Sequence, residues 1–189
     1  MTMRDAITIV APHLGDRICI HANGYLSRAA FGVRDAETCF YMIGSMGLAS
    51  SIGLGIALAR PERGVVVFDG DGNVLMNLGT LARVASAAPA NFVHLCFDNR
   101  AHASTGAQPT ISDRVRLDDV ARAAGYRRVG RAETPAALAR EIPAVLAGPG
   151  PAFLLVRIEL GPDGPPGPRI THTPPEMTAR LRRALGVAP

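Results

Sequence analysis

Lysine is absent from this 189-residue chain, and all twenty of its basic side chains are arginine. A Walker-type phosphate loop sets a lysine against the phosphates, and pyridoxal enzymes need one for a Schiff base. Nucleoside-triphosphate hydrolysis of that type and pyridoxal chemistry are therefore excluded. Cysteine is scarce. Cys19, Cys39 and Cys96 stand at separations matching no zinc or redox pair, and each falls in a segment read as a strand, so buried thiols in a reducing compartment are expected. Apolar runs are strand-length or broken by Gly, Pro and charge, and the first residues carry no basic segment followed by an apolar signal core. No membrane span is expected, and the protein is expected in the cytoplasm. The net charge of +4 does not call for nucleic acid, because the arginines are dispersed and no aromatic-rich RNA-binding motif is present. Anionic ligands or an ordinary solvated surface account for it. No internal repeat and no second domain is visible. With 48% hydrophobic residues, the chain suffices for one core, read as a single domain over 1–189.

Apolar runs of four to eight residues alternate with longer stretches of helical period, which predicts βα units. The expected fold is α/β, a doubly wound parallel sheet with helices on both faces. Strands are predicted over 18–21, 39–43, 65–68, 92–97, 127–129 and 153–158. Helices are predicted over 4–13, 47–60, 73–87, 117–124, 135–146 and 175–184. Thr134 before Pro135 supplies a capping oxygen followed by proline at the first helical position. The Pro- and Gly-rich stretch 161–168 reads as an exposed connector, and Arg180, Arg182 and Arg183 as the solvated face of the last helix.

The chemistry concentrates where apolar runs end. Gly70-Asp71-Gly72 closes one run and Asp98-Asn99 another. A strand feeding a Gly-Asp-Gly turn into a helix brings backbone N–H groups and the positive helix end against phosphate. Asp71 offers an anionic oxygen and Asn99 a neutral one, both suited to Mg²⁺. Both stand at the carboxyl ends of strands, where open α/β sheets bind ligands. Gly-Asp-Gly by itself serves an ordinary turn equally well.

Three longer stretches extend the pattern: Gly44-Ser45-Met46-Gly47-Leu48-Ala49-Ser50; Gly70-Asp71-Gly72 with Leu75-Met76-Asn77-Leu78-Gly79-Thr80-Leu81; and Asp98-Asn99 with Ser104-Thr105-Gly106-Ala107-Gln108-Pro109-Thr110. Together they resemble the thiamine-diphosphate enzymes, and within that superfamily the diphosphate-binding half of sulfopyruvate and phosphonopyruvate decarboxylases. The resemblance covers nearly the whole chain. It implies thiamine diphosphate and Mg²⁺ as cofactors, with Asp71, Asn99 and the carbonyl of Ala101 as metal ligands. It also implies that Gly72 and Asn73, following Gly70, donate to phosphate oxygens. Asn23 and Gly24 match a second diphosphate loop, although an ordinary Asn-Gly turn fits the pattern as well. In the Gly44-Ser45-Met46 element, the Gly44 carbonyl would accept from the aminopyrimidine amine and Met46 would wedge between the cofactor rings. Taken alone, Met46 would be core. His102, Ser104 and Thr105 are the implied substrate-binding or proton-transfer groups, and capping of a helix start explains the two hydroxyls equally well. His21, His94 and His172 have no such context and read as incidental. Arg100 and Ala101 depart from the small residues of many relatives, which sets a bulky Arg100 at the pocket mouth.

Enzymes of this kind need a glutamate from a separate pyrimidine-binding domain, and none of Glu37, Glu62, Glu133, Glu141, Glu159 or Glu176 has the matching context. The resemblance therefore implies half an active site, completed by a pyrimidine-binding α-type subunit in a homo- or hetero-oligomer and acting on a small anionic 2-oxo acid. The rival expectation is a noncatalytic α/β module that binds a nucleotide or partner protein at the same crevice.

Overall fold

The apolar runs on either side of the Gly-Asp-Gly turn lie next to each other at the centre of a six-stranded sheet. The computed structural model describes residues 1–161 and 166–187. In chain order, α1 (Met3–Val10) runs into a 3-10 turn (Ala11–His13), followed by β1 (Ile18–His21), α2 (Tyr25–Val33), β2 (Cys39–Tyr41), α3 (Ala49–Ala59) and β3 (Val65–Gly70). Then come α4 (Asp71–Met76), α5 (Gly79–Ala87), β4 (Phe92–Asp98) and a small hairpin of β5 (Ala101–His102) and β6 (Gln108–Pro109). The chain continues through α6 (Leu117–Ala124), β7 (Arg128–Ala132), α7 (Pro135–Ala147), β8 (Ala152–Arg157) and α8 (Pro174–Ala184).

The main sheet has the order β2-β1-β3-β4-β8-β7, and every neighbouring pair is parallel. Parallel strands covered by helices are buried on both faces, which is why 65–68 and 92–97 read as continuous apolar runs. Each face has its own core. On one, Val66, Phe68, Leu95 and Leu154 pack with Ile7 and Val10 of α1, Leu26 of α2 and Leu138 and Ile142 of α7. On the other, Val65, Val67, Phe92 and Phe153 pack with Ala49 of α3, Leu81 and Val84 of α5 and Leu117 of α6. Helix α7 begins as its sequence requires: Thr134 Oγ1 accepts from Ala137 N at 3.1 Å, with Pro135 in the first turn.

Four local expectations are corrected. The single helix over 73–87 is two, α4 and α5, because the chain leaves helical geometry at Asn77 and Asn77 Nδ2 donates to the Gly47 carbonyl at 3.1 Å. Helix α2 occupies a stretch for which no element was expected, although Leu26, Ala29 and Ala30 carry its apolar spacing. Arg180 is not solvated; it reaches Asp35 at 2.7 Å and His172 at 2.6 Å, and His172 lies 2.9 Å from the same carboxylate, so neither is incidental. The expected connector 161–168 falls partly outside the described residues, at 162–165. Its end is docked, since the carbonyls of Gly167 and Pro168 accept from Arg28 Nε of α2.

The order of the sheet positions the site. Strand β1 has β2 on one side and β3 on the other, so the connections leaving β1 and β3 part and open a crevice at their carboxyl ends.

Candidate cofactor site

Strand β3 ends at Gly70 opposite Phe97 of β4, so Asp71 and Asn99 leave neighbouring strands at the same end of the sheet. The crevice there is lined by Asn23, Met46, Gly70, Asp71, Gly72, Asn73, Asn99, Ala101, His102, Ser104 and Thr105. Eleven residues named from sequence thus meet in one cavity. Gly24 stands behind the wall: its φ is +86°, and a Cβ there would lie 3.1 Å from Ser104 Oγ. Gly44 and Ser45 are outside the lining, on the loop that presents Met46, where a Cβ on Gly44 would meet open space. Arg100 is exposed and also outside the wall, so it does not obstruct the mouth. Met3, Tyr25, Leu26, Phe97 and Ala103 complete the lining.

Helix α4 begins at Asp71, two residues earlier than expected. The N–H groups of Asp71, Gly72 and Asn73 therefore have no partner within the helix. The Asn73 side-chain oxygen accepts from Gly47 N at 2.7 Å, which ties the Met46 loop to the first turn of α4. At Gly72 the backbone comes so close to its neighbours that a Cβ would lie 2.7 Å from His102 Cε1, 2.8 Å from His102 Nδ1 and 3.2 Å from Met46 Cε. Any larger residue there would force the His102 ring to shift.

The Asn99 loop is held by two successive side-chain turns. Asp98 Oδ1 accepts from Arg100 N at 3.0 Å and Asn99 Oδ1 from Ala101 N at 3.0 Å, with Arg100 at φ +61°. Thr110 N donates to the Arg100 carbonyl at 2.9 Å, so Ala101, next along the antiparallel ladder, turns its carbonyl away from the partner strand. Thr105 Oγ1 is engaged at the tip of this hairpin with the His102 carbonyl and Gln108 Oε1. Ala103–Thr105 is a 3-10 turn without a side-chain cap, so helix capping does not account for Ser104 or Thr105.

Asp71 and Asp98 are buried side by side. Thr110 Oγ1 donates to Asp71 Oδ2, and Ser112 Oγ lies 3.3 Å from the same oxygen and 2.8 Å from Asp98 Oδ1. Arg157 Nη1 approaches Asp98 Oδ2 to 2.9 Å, near enough for ion pairing but not aligned as a hydrogen bond. Burial pushes the Asp71 carboxyl above the usual aspartate range and the Asp98 charge adds to this, while the Thr110 and Ser112 hydroxyls pull the other way. Two carboxylates facing one arginine leave a surplus negative charge that a bound cation would neutralise. The Asp71 Oδ1 atom makes no hydrogen bond to another side chain among the described residues, while Asn99 Oδ1 keeps a second lone pair and the Ala101 carbonyl stands clear of its ladder. This oxygen set suits Mg²⁺. Among the described residues the buried Asn23 Oδ1 has no hydrogen-bond partner, and the residues of the first turn of α4 line the same crevice, which fits a polar, phosphate-bearing group.

Below the turn, Asp69 Oδ1 accepts from Gly70 N at 3.0 Å, and Asp69 Oδ2 lies 3.2 Å from His94 Nε2. His94 Nδ1 meets the Tyr126 hydroxyl at 3.2 Å. Burial, with the Asp69 charge, keeps that hydroxyl protonated. His94, read as incidental, therefore steadies the start of the Gly-Asp-Gly turn.

Comparison with known proteins decides the family. Residues 22–156 match the thiamine pyrophosphate enzyme, C-terminal TPP binding domain. The chain belongs to the thiamine pyrophosphate enzymes. Over 157 residues it is 41% identical to the sulfopyruvate decarboxylase subunit beta of Methanothermobacter thermautotrophicus, covering 83% of this chain and 82% of that one. Over 175 residues it is 42% identical to the phosphonopyruvate decarboxylase of Streptomyces viridochromogenes, covering 92% of this chain but only 43% of that protein. A sulfopyruvate decarboxylase of Methanosarcina acetivorans is 37% identical over 188 residues and is spanned to 48% of its length. The fold matches the Rhodococcus jostii thiamine diphosphate-dependent 4-hydroxybenzoylformate decarboxylase with a TM-score of 0.71 at 19% identity, over 84% of this chain and 33% of that one. Among the described residues, no helix is long and apolar enough to cross a membrane.

Within this TPP-binding domain, the sequence reading gave Thr110 no role and overlooked Ser112. Their spacing of two, just past β6, was the available signal.

Proposed function

We propose that this chain is the β-type, diphosphate-binding subunit of a thiamine-diphosphate- and Mg²⁺-dependent decarboxylase of a small 2-oxo acid bearing a sulfonate or phosphonate tail. The observation that carries this reading is the meeting of Asp71, Asn99 and Ala101 beside Gly72, which is closed over by Met46 and His102. Thiamine diphosphate, when bound, supplies the electron sink for carbon-carbon cleavage. The chain's own residues have narrower tasks. Asp71, Asn99 and the Ala101 carbonyl hold Mg²⁺, and the N–H groups of Gly72 and Asn73, with Asn23, hold the diphosphate. Met46, pinned through Gly47, shapes the wall against the rings. His102 and Ser104 line the same wall, where they bind the anionic tail or move a proton, and Thr105 braces the turn that carries them.

The pyrimidine side of the site is proposed to come from an α-type subunit. Among the described residues, no glutamate lines the cavity. Ile43 is 72% exposed and Met76 65%, both beside the Met46 loop, an apolar face suited to a partner. The "subunit beta" names of relatives support the same assembly. Calorimetric titration of the assembled complex tests the metal assignment. Thiamine diphosphate is expected to bind with Mg²⁺ and to lose its affinity in EDTA; equal affinity in both would remove Asp71 and Asn99 from the metal site.

A further inference from the structure

Cys19 and Cys39, twenty residues apart in sequence, are register partners on β1 and β2. His21 follows Cys19 by two positions on β1, so its side chain shares that face of the sheet. The sulfur atoms of Cys19 and Cys39 and a ring nitrogen of His21 all lie within 4.8 Å of one another, and all three residues are buried. We propose that Cys19, His21 and Cys39 form a binding site for one soft, thiophilic d¹⁰ cation, Cu⁺ or Zn²⁺, under the two loops that approach the cofactor crevice.

Three observations carry this. First, His21 is 2% exposed, and among the described residues neither of its ring nitrogens has a hydrogen-bond partner. A buried imidazole without partners is costly, and a ligated cation satisfies one nitrogen. The ring is stacked on Tyr41 at 4.9 Å and set against Phe68 at 4.5 Å, so it is held in place rather than free to turn toward water. Second, thiolate and imidazole donors around one such cation stand about 3.4–4 Å apart, given metal–sulfur and metal–nitrogen distances of about 2.3 and 2.0 Å. The three ligand atoms, all within 4.8 Å of one another, stand close to that range. Third, Arg34 Nη1 lies 3.5 Å from Cys39 Sγ. A guanidinium at that distance favours the thiolate form that a metal needs.

Charge and balance are consistent. Each ligating thiol releases its proton to solvent and no electron moves. Two thiolates with Cu⁺ leave one negative charge, which Arg34 offsets; with Zn²⁺ the set is neutral. The placement gives the site a purpose. Strand β1 leads to Asn23 and Gly24, and β2 leads to the loop carrying Met46, so the cation would clamp together the two strands that deliver these loops.

The full-length chain, purified and kept reduced without oxygen, should be titrated with Cu⁺ and separately with Zn²⁺ against a chromogenic chelator. One equivalent is expected, with a thiolate charge-transfer band for Cu⁺ and a raised melting temperature. In Cys39→Ala, and in His21→Phe, which keeps the aromatic stack, affinity should fall by more than about 100-fold, beyond the range for losing an outer-shell partner. Cys96→Ala, on the opposite face of the sheet, should bind as wild type. Failure of the reduced chain to take up either ion, or wild-type affinity in folded His21→Phe, overturns the proposal. A Cys19–Cys39 disulfide in the protein purified without oxygen overturns it as well.

Discussion

Asp71→Asn is expected to stabilise the metal-free protein while abolishing its response to cofactor. In wild type, Ser112 Oγ bridges Asp71 Oδ2 at 3.3 Å and Asp98 Oδ1 at 2.8 Å, both carboxylates being buried. Two charges within about 6 Å repel by roughly 3 kcal/mol at an effective dielectric of about 20. Arg157 beside Asp98 offsets part of this. Weaker hydrogen bonds from Thr110 and Ser112 to a neutral amide return about 1 kcal/mol. A net gain of about 1–2 kcal/mol remains, or about 3–6 °C in melting temperature for a chain of this size. The sign follows from the direction of the Asp71 shift. Its folded-state carboxyl sits above the unfolded value, so ionisation costs stability as pH rises from the unfolded value through the folded one. The advantage of the variant should therefore be full at neutral pH and vanish in acid, below about 3.9, where the side chain is protonated in both states. Scanning calorimetry in EDTA across pH measures it. Addition of Mg²⁺ and thiamine diphosphate should then raise wild type and leave Asp71→Asn unmoved. A variant that melts below wild type at neutral pH in EDTA would refute the reasoning, because the Asp71 charge would then be stabilised by the protein itself.

Two further outcomes follow from the geometry. Gly72→Ala sets a methyl 2.7 Å from His102 Cε1, and overpacking of this kind costs about 1–3 kcal/mol, so cofactor affinity should fall about 10- to 100-fold. Calorimetry on Gly72→Ala with His102→Ala should show partial recovery, and unchanged affinity in the single variant would separate His102 from the cofactor wall. Arg180→Ala should cost about 1.5–3 kcal/mol in denaturant melts, since it removes a charged hydrogen bond that holds α8 to Asp35. Burial alone would raise the Asp35 carboxyl, but His172 and Arg180 outweigh it and hold it below the usual range. That stabilisation is present above the unfolded value and lost as pH falls through the folded one, so the gap between variant and wild type should close in acid; a gap independent of pH would count against the ion pair.

The layered parallel sheet was legible in the sequence because buried parallel strands read as unbroken apolar runs, and 18–21 and 117–124 match the observed elements to the residue. The meeting of these residues in one crevice was legible because Gly70-Asp71-Gly72 and Asn99 concentrate small and oxygen-bearing residues at strand ends. What escaped notice depends on pairing across the fold. The split at Asn77 follows from a hydrogen bond to Gly47, thirty positions away. His94, His172 and Arg180 acquire partners only when the sheet and α8 assemble. Thr110 and Ser112 act on Asp71 only because the β5–β6 hairpin folds back over α4, and no local period encodes that contact. Cys19 and Cys39 meet through strand register, to which sequence spacing is blind.

The central claim is that this domain anchors the cofactor but completes an active site only with a pyrimidine-binding partner. The most direct measurement is CO₂ release from sulfopyruvate and from phosphonopyruvate, with thiamine diphosphate and Mg²⁺, by the purified chain alone and with the α-type subunit added. Loss of acid-base assistance alone removes about 10²- to 10⁴-fold in rate, so the isolated chain should be silent and the assembled pair active on one of the two acids. Robust turnover by the chain alone would contradict the divided site, and silence in both conditions would contradict the decarboxylase assignment in favour of a noncatalytic binding module.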